Sequence, residues 1–118
     1  MLPKHLRLPA AEIPTVAQKG RLFTHQFLHI RVWYDESLTA PECAITISTK
    51  VDKNATTRNR IKRKLRVGIL DLVQQGKLKP AKYLLIAKTT ELASADPALV
   101  ILDTLNNPAF KRTGQKHG

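Results

Sequence analysis

The first half of the chain shows two different spacings of its apolar residues. Residues 10–19 follow the three-to-four spacing of a short helix, which Gly20 would end. Residues 22–34 then alternate, which predicts one long strand with two unlike faces. Leu28, Ile30 and Val32 point one way, and the other face carries Phe27, His29, Arg31 and Trp33. Residues 43–48 alternate again, and after an intervening loop they predict a second strand that forms an antiparallel hairpin with the first.

The second half returns to a helical period after residue 49. A helix through the middle of the chain would bury one apolar stripe, formed by Ile61, Leu65, Ile69, Leu72 and Val73. Gln75 and Gly76 would end it, and residues 83–87 form a short buried strand. Asp96 and Pro97 then predict the cap and first turn of a final helix. The apolar face of that helix would hold Leu99, Val100, Leu102 and Leu105.

The elements therefore run α-β-β-α-β-α, which predicts an α+β fold, an α/β sandwich with a small mixed sheet covered by helices. A length of 118 residues fits a single domain, residues 1–118. We expect flexible ends at residues 1–9 and 111–118.

Composition points to a polyanionic partner. Twenty basic residues against nine acidic ones give a net charge of +11, while a hydrophobic fraction of 42% still supports a core. Such a charge fits nucleic acid or an anionic membrane surface. No apolar run reaches the ~20 residues of a membrane span, and the start lacks a signal-peptide pattern, so a cytoplasmic protein that does not enter a membrane is expected. The single cysteine, Cys43, is interpreted as a small core residue.

Six of the nine residues from 58 to 66 are Lys or Arg, and no acid lies among them. Projection onto a helix places these cations around the apolar stripe, so the run is half of an amphipathic helix and not a tail. Cations in a first helical turn oppose the helix dipole, at about 0.3–1 kcal/mol each. A local rule broken without structural gain indicates function, here the binding of a phosphate backbone.

At these residues the chain resembles the protein subunit of bacterial ribonuclease P. The family signature is a lysine-containing loop, an alanine, Arg-Asn-Arg, an aliphatic residue, Lys-Arg and a further Arg. This sequence matches it with Lys50, Lys53, Ala55, Arg58, Asn59, Arg60, Ile61, Lys62, Arg63 and Arg66. The resemblance covers nearly the whole chain. The residues expected to bind RNA are Lys50, Lys53, Arg58, Asn59, Arg60, Lys62, Arg63, Lys64 and Arg66.

The resemblance implies more than the residues show. It implies a left-handed βαβ crossover, a signature helix that docks on the catalytic RNA, and a cleft for the single-stranded 5′ leader of precursor tRNA. The leader-cleft candidates are Ile13, Ala17, Phe23, Phe27, His29, Ile30, Arg31 and Trp33. For Phe27 and Trp33, packing under a helix is an equal alternative. The RNA subunit would perform the hydrolysis with Mg²⁺, so the protein is an accessory component of an endoribonuclease with no catalytic residue of its own.

Other functions are weaker interpretations of the same sequence. A protein-only nuclease would need clustered carboxylates, but the nine acids are scattered. No Cys/His spacing predicts a metal site, and no protein partner is predicted. The alternative that stays open is a ribosomal or other structural RNA-binding protein with no role in cleavage.

Overall fold

Three α-helices and four strands make up the computed structural model, which describes residues 2–109. The helices are α1 (Ile13–Lys19), α2 (Ala55–Gln74) and α3 (Pro97–Leu105). The strands are β1 (Arg21–Thr24), β2 (Leu28–Trp33), β3 (Glu42–Ile47) and β4 (Lys82–Ala87). Short 3-10 turns lie at Lys4–Leu6, Ala10–Glu12 and Thr90–Ser94. The predicted α+β class is confirmed, with one strand more than expected.

The four strands form one mixed sheet in the order β1-β2-β4-β3. β1 pairs antiparallel with β2, and β2 antiparallel with β4, whereas β3 runs parallel to β4. Parallel neighbours need a crossover connection, and α2 supplies it. The predicted strand-helix-strand crossover is therefore present, and its left hand remains what the family resemblance implies.

The prediction of one strand across residues 22–34 is wrong, because a tight turn divides that stretch. The backbone N–H of His25 donates to the Leu28 carbonyl at 2.9 Å, and the N–H of Phe27 donates to Nδ1 of His25 at 3.0 Å. The imidazole thus acts as the local acceptor that an Asn or Asp side chain supplies in many turns.

The predicted antiparallel hairpin between the strands of residues 22–34 and 43–48 is also wrong. β4 lies between β2 and β3 and pairs with both, so the two strands are not neighbours. The hairpin of this fold is β1-β2.

Segments flanking the elements cover part of both outer strands. On β3, the N–H of Leu8 donates to the Cys43 carbonyl at 2.9 Å. On β1, the N–H of Thr24 donates to the Asn107 carbonyl at 3.1 Å, and the N–H of Ala109 donates to the Leu22 carbonyl at 2.9 Å. In the segment expected to be flexible, residues 2–9 contain three buried leucines: Leu2, Leu6 and Leu8. Residues 111–118 lie outside the described part of the chain.

Helices cover the two faces of the sheet unequally. α2 and α3 pack on the face that carries Leu28, Ile30 and Val32. The predicted stripe of α2 is confirmed on this face: Ile61 and Leu65 are fully buried, Ile69 and Leu72 nearly so, and Val73 packs at the margin. α1 lies on the other face, where Val16 packs against Leu84. The chain is thus a sandwich, with the sheet between α1 and the α2-α3 pair.

The apolar face predicted for α3 is partly wrong. Leu99 is 56% exposed, while Val100, Ile101 and Thr104 are buried. The hydroxyl of Thr104 donates to the Val100 carbonyl at 2.7 Å, which satisfies a polar group inside the core. Leu102 and Leu105 are partly buried at the edge of this face.

Candidate nucleic-acid interface

The N-terminus of α2 is fixed by a chain of local hydrogen bonds. Oδ1 of Asp52 accepts from the N–H of Asn54 at 2.7 Å, and Oδ1 of Asn54 accepts from the N–H of Thr56 at 2.9 Å. Asn54 therefore caps the helix, as short polar side chains do at this position. The carboxylate of Asp52, the acid in the loop before the helix, is thus engaged by the backbone of that loop.

Polar and basic side chains flank the buried stripe of α2 on both sides. Together they form the basic helix surface: Arg58, Asn59, Arg60, Lys62, Arg63, Lys64 and Arg66. Asn59, Arg60 and Arg63 are exposed, and the other four are partly buried. Lys50 and Lys53 are exposed in the loop before the helix. All nine predicted RNA-binding residues are thus at least partly accessible.

Two of these cations donate hydrogen bonds to backbone carbonyl oxygens. The Arg58 guanidinium donates to the Asp52 carbonyl at 2.8 Å, which places it beyond the end of the core, as its position on the helix predicts. The Lys64 ammonium donates to the Ala95 carbonyl at 3.0 Å and ties α2 to the segment before α3. Both bonds leave the positive charge unneutralised.

No acid of residues 2–109 forms an ion pair with a cation of the basic helix surface. The ion pairs found in that part of the chain join Lys82 to Glu12 and to Asp35. Burial of the α2 stripe, at about 1.5–3 kcal/mol per large side chain, outweighs repulsion of a few tenths per neighbouring pair of charges. The fold therefore displays uncompensated positive charge on a rigid element.

The structure adds one cation that the sequence pattern missed. Arg7, Lys62 and Arg66 line a cavity of about 220 Å³ against Ala44 and Ile45 of β3. The Arg7 guanidinium also donates to the Leu2 carbonyl at 2.8 Å. Three cations from two distant segments thus converge on one concave site. The alternation of Leu6, Arg7 and Leu8 is the signal that could have placed this residue, had residues 1–9 not been assigned as flexible.

On the face of the sheet that α1 covers, the structure brings together five of the leader-cleft candidates: Ile13, Ala17, His29, Arg31 and Trp33. The Arg31 guanidinium donates to the Gly20 carbonyl at 3.1 Å, just past the end of α1. A cavity of about 270 Å³ lies between α1 and the sheet and is lined by Glu12, Thr15, Val16, Trp33 and Lys82. Burial, with the nearby charges of Lys88 and Arg31, lowers the pKa of His29 below its ordinary value.

Three leader-cleft candidates do not lie on this face. Ile30 is fully buried under α2 and α3, and Phe23 is its partner in the ladder and shares that core. Phe27 belongs to the turn before β2, packs against the same core and makes an edge contact with the His25 ring, with 5.1 Å between ring centroids. An unbroken strand from residue 22 would put Phe23 and Phe27 on the face of His29, whereas Ile30 is a candidate through the family resemblance alone. For Trp33, the structure supports packing beneath α1.

Comparison with known proteins decides the family. A family model described as Ribonuclease P matches residues 2–111. This chain belongs to the ribonuclease P family.

Two ribonuclease P protein components show the relationship in sequence. The one from Synechocystis sp. is 44% identical over 69 residues, which are 58% of this chain and 56% of that protein. The one from Pseudanabaena sp. is 35% identical over 91 residues, which are 76% of this chain and 77% of that protein. The match thus spans little more than half of the first relative and about three quarters of the second.

Solved ribonuclease P proteins share the fold. A Staphylococcus aureus RNase P protein mutant with defective mRNA degradation activity superposes with a TM-score of 0.75 at 18% identity, over 87% of each chain. The RNase P protein from Thermotoga maritima gives a TM-score of 0.60 at 17% identity, over 85% of this chain and 92% of that one. Architecture is retained while most residues differ.

The family assignment confirms the resemblance seen in the signature residues, and the alternative of a ribosomal or other structural RNA-binding protein is not favoured. A ribonuclease P protein is part of an endoribonuclease complex, and that complex contains an RNA partner. Within residues 2–109, His, Cys, Asp and Glu side chains do not gather in threes as a metal site would require. No helix of this described region is long and apolar enough to cross a membrane.

Proposed function

We propose that this chain is the RNA-binding protein subunit of ribonuclease P, docked on the catalytic RNA through the basic helix surface. In this role it assists endonucleolytic removal of the 5′ leader from precursor tRNA. The observation that carries the proposal is the rigid display of cations that no acid of residues 2–109 pairs with.

RNA is a partner whose charge fits this surface. Each phosphate that a Lys or Arg contacts releases condensed counterions, which makes binding strong and salt-dependent. The guanidinium groups of Arg60 and Arg63 are exposed and can form paired hydrogen bonds with phosphate oxygens. The exposed amide of Asn59 offers a directional donor and acceptor for a sugar or base edge. Arg7, Lys62 and Arg66 supply a concave site for a further phosphate.

The hydrolysis is assigned to the RNA subunit, with Mg²⁺ bound there. The described side chains support this division of labour. Glu12 and Asp35 are engaged by Lys82, and Cys43 is buried with its pKa raised to about 12 by burial and, to a smaller extent, by Glu42. A buried, protonated thiol is a poor nucleophile. In this proposal the protein contributes binding and positioning.

The single-stranded 5′ leader is assigned to the α1 face of the sheet. Ile13, Ala17 and Trp33 supply apolar contact there, and Arg31 supplies positive charge beside His29. Aromatic stacking contributes about 1–3 kcal/mol per base, and the α1 residues of this groove are aliphatic. Leader binding in this chain should therefore depend more on charge than on stacking.

Reconstitution tests the function. The purified chain is added to a bacterial ribonuclease P RNA at low Mg²⁺, and cleavage of a precursor tRNA is followed. Stimulated cleavage at the 5′ leader junction is the expected result. Binding without stimulation would mean a structural RNA-binding protein, and cleavage without added RNA would mean a protein nuclease.

Two substitutions test the surface itself. Arg60→Ala and Arg63→Ala should each weaken binding to the catalytic RNA. Each should also lower the salt slope, which is the fall of log binding constant with log salt concentration, by about one unit, because each removes one phosphate contact. Lys4→Ala removes an exposed charge outside the basic helix surface and is the matched control. Circular dichroism should show an unchanged fold in all three. Loss of structure in the arginine variants would mean that these residues support the core.

A further inference from the structure

A second concave site lies at the other end of α2. The segment after α2 and the C-terminal end of α3 meet the β1-β2 hairpin around a cavity of about 330 Å³. Its exposed lining residues are Arg21, Tyr34, Lys77, Lys79 and Asn106, and the buried rings of Phe23 and Tyr83 lie beneath them. No Asp or Glu lines this cavity. From Arg66, the last residue of the basic helix surface, to Gln74 the helix rises about 12 Å, so this site lies about two helical turns beyond that surface.

The backbone beside this cavity is held in place. Gly76 has a positive φ of 68°, the N–H of Gly76 donates to the Val73 carbonyl at 3.1 Å, and the N–H of Lys77 donates to the Leu72 carbonyl at 2.9 Å. This is a Schellman closure of the helix, and it fixes the direction in which Lys77 leaves it. The Tyr83 hydroxyl then donates to the Lys79 carbonyl at 2.7 Å. Both lysines therefore start from ordered backbone.

Tyr34 gives the site an exposed aromatic ring. It is 55% exposed and directly follows β2. A single exposed apolar side chain needs no explanation by itself. Here the ring borders the same cavity as the lysines, which combines a stacking surface with phosphate-binding charge. Proteins that bind single-stranded nucleic acid use this combination.

The lysines also have a structural interpretation. Helix C-termini carry partial negative charge, and cations close to them stabilise the helix. That effect explains a lysine just past α2, but it accounts for neither Lys79, five residues beyond the end of the helix, nor the exposed ring of Tyr34. The two interpretations predict different results when the lysines are replaced.

We infer that this cavity is a second RNA-binding site, which takes an unpaired nucleotide with its base on Tyr34 and the flanking phosphates on Lys77 and Lys79. The inference rests on the proposed function, because it treats the chain as an RNA-binding subunit. It adds a contact for a single-stranded segment beyond the C-terminal end of α2, outside the basic helix surface.

Site-resolved titration tests the inference. The full ¹⁵N-labelled chain is titrated with an RNA of six adenosines, and amide shifts are followed by NMR. Saturable shifts are expected at Tyr34, Lys77 and Asn106, separately from those at residues 58–66. Tyr34→Ala should weaken the affinity read at Lys77 about tenfold, because stacking on the ring is lost, whereas Tyr34→Phe should stay within twofold.

Charge variants separate the two interpretations. Lys77→Gln with Lys79→Gln should lower the salt slope read at Tyr34 by about 1.4, at about 0.7 for each phosphate on a single strand. Lys4→Gln with Lys19→Gln removes the same charge from exposed positions outside the cavity and should leave that slope unchanged.

Three results would overturn the second site. Shifts confined to residues 58–66 would do so and would leave the proposed function standing. A lysine pair that changes only the free energy of unfolding would support the helix-dipole interpretation. Equal shifts with a duplex RNA of the same length would exclude stacking of an unpaired base. The reconstituted cleavage assay decides the proposed function independently of all three.

Discussion

Gly68→Ala tests how closely α2 and α3 pack. In an ordinary helix interior this substitution stabilises by about 0.8–1 kcal/mol, because alanine has the better helix propensity. At Gly68 the added Cβ would lie 2.9 Å from Cβ of Pro97, 3.0 Å from the backbone N of Ala98 and 3.0 Å from the backbone C of Pro97. Favourable carbon contacts lie at about 3.5–4.0 Å, so α3 must move.

The steric overlap and the gain in helix propensity together set the sign of the change in the free energy of unfolding. Two of the three contacted atoms are backbone, and the third belongs to a proline ring that cannot rotate away. Overpacking of this kind costs about 1–3 kcal/mol. Subtracting the gain in propensity leaves a net destabilisation of about 1 kcal/mol. For a domain of this size that is a fall of about 4 °C in Tm.

Urea unfolding followed by circular dichroism measures the change. Gly68→Ala in a Pro97→Gly background, compared with Pro97→Gly alone, is the matched control, because glycine lacks the Cβ that makes the closest contact and should recover part of the loss. If Gly68→Ala instead stabilises the chain by the amount that helix propensity predicts, the two helices are not in contact at this position. The close approach of α3 to α2 would then be refuted.

Three further predictions follow from other described residues. Leu65→Ala should lower the free energy of unfolding by about 2–5 kcal/mol, whereas Val67→Ala, at a 54% exposed position, should stay within about 0.5 kcal/mol in the same urea assay; equal effects would mean that the stripe is misplaced. Cys43, with a pKa of about 12, should resist iodoacetamide at pH 8 in the native protein and react at once in urea; rapid native labelling would contradict its burial. Burial, then Lys88, lowers the pKa of His29 from 6.5, so protonation favours the unfolded chain and stability should fall as the pH drops below about 6.5, with no contribution from this group above that value. Lys88→Gln should raise the pKa of His29 in an NMR titration, and an unchanged value would remove Lys88 as a cause.

The crossover helix was the element most open to prediction. Its apolar residues keep a helical period, its end carries Gln75 and Gly76, and its charges have one sign. All three signals are local, so they could be read without knowledge of the fold. The same signals fixed which side of the helix faces the core and which side carries the accessible cations.

The pairing of strands was not open to prediction in the same way. The turn that separates β1 from β2 contains no Gly, Pro, Asn or Asp, and no residue other than glycine in residues 2–109 has a positive φ. Alternation therefore continues through it, and His25 forms the turn with an imidazole acceptor. The insertion of β4 between β2 and β3 depends on a distant part of the chain, which local alternation cannot reveal.

The position of the leader-cleft candidates depended on the same long-range information. An unbroken strand puts Phe23 and Phe27 on the face of His29, whereas the turn sends Phe23 into the core and leaves Phe27 at its border. Ile30, a candidate through the family resemblance, lies in the core on the other face. Arg7 was missed because burial of the leucines on either side depends on the edge of β3. The side chains that lie beside each candidate in space depend on strand pairing, which the local sequence does not determine.

Hydrogen bonds from the flanking segments to the two outer strands have a consequence for the chain before it meets RNA. An uncovered strand edge is a template on which a second copy can add a strand and begin a fibrous aggregate. Here Leu8 on one side, and Asn107 and Ala109 on the other, already occupy main-chain groups of those edges. A net charge of +11 also makes copies repel one another. Deletion of either flanking segment should therefore cause aggregation in concentrated, RNA-free solution.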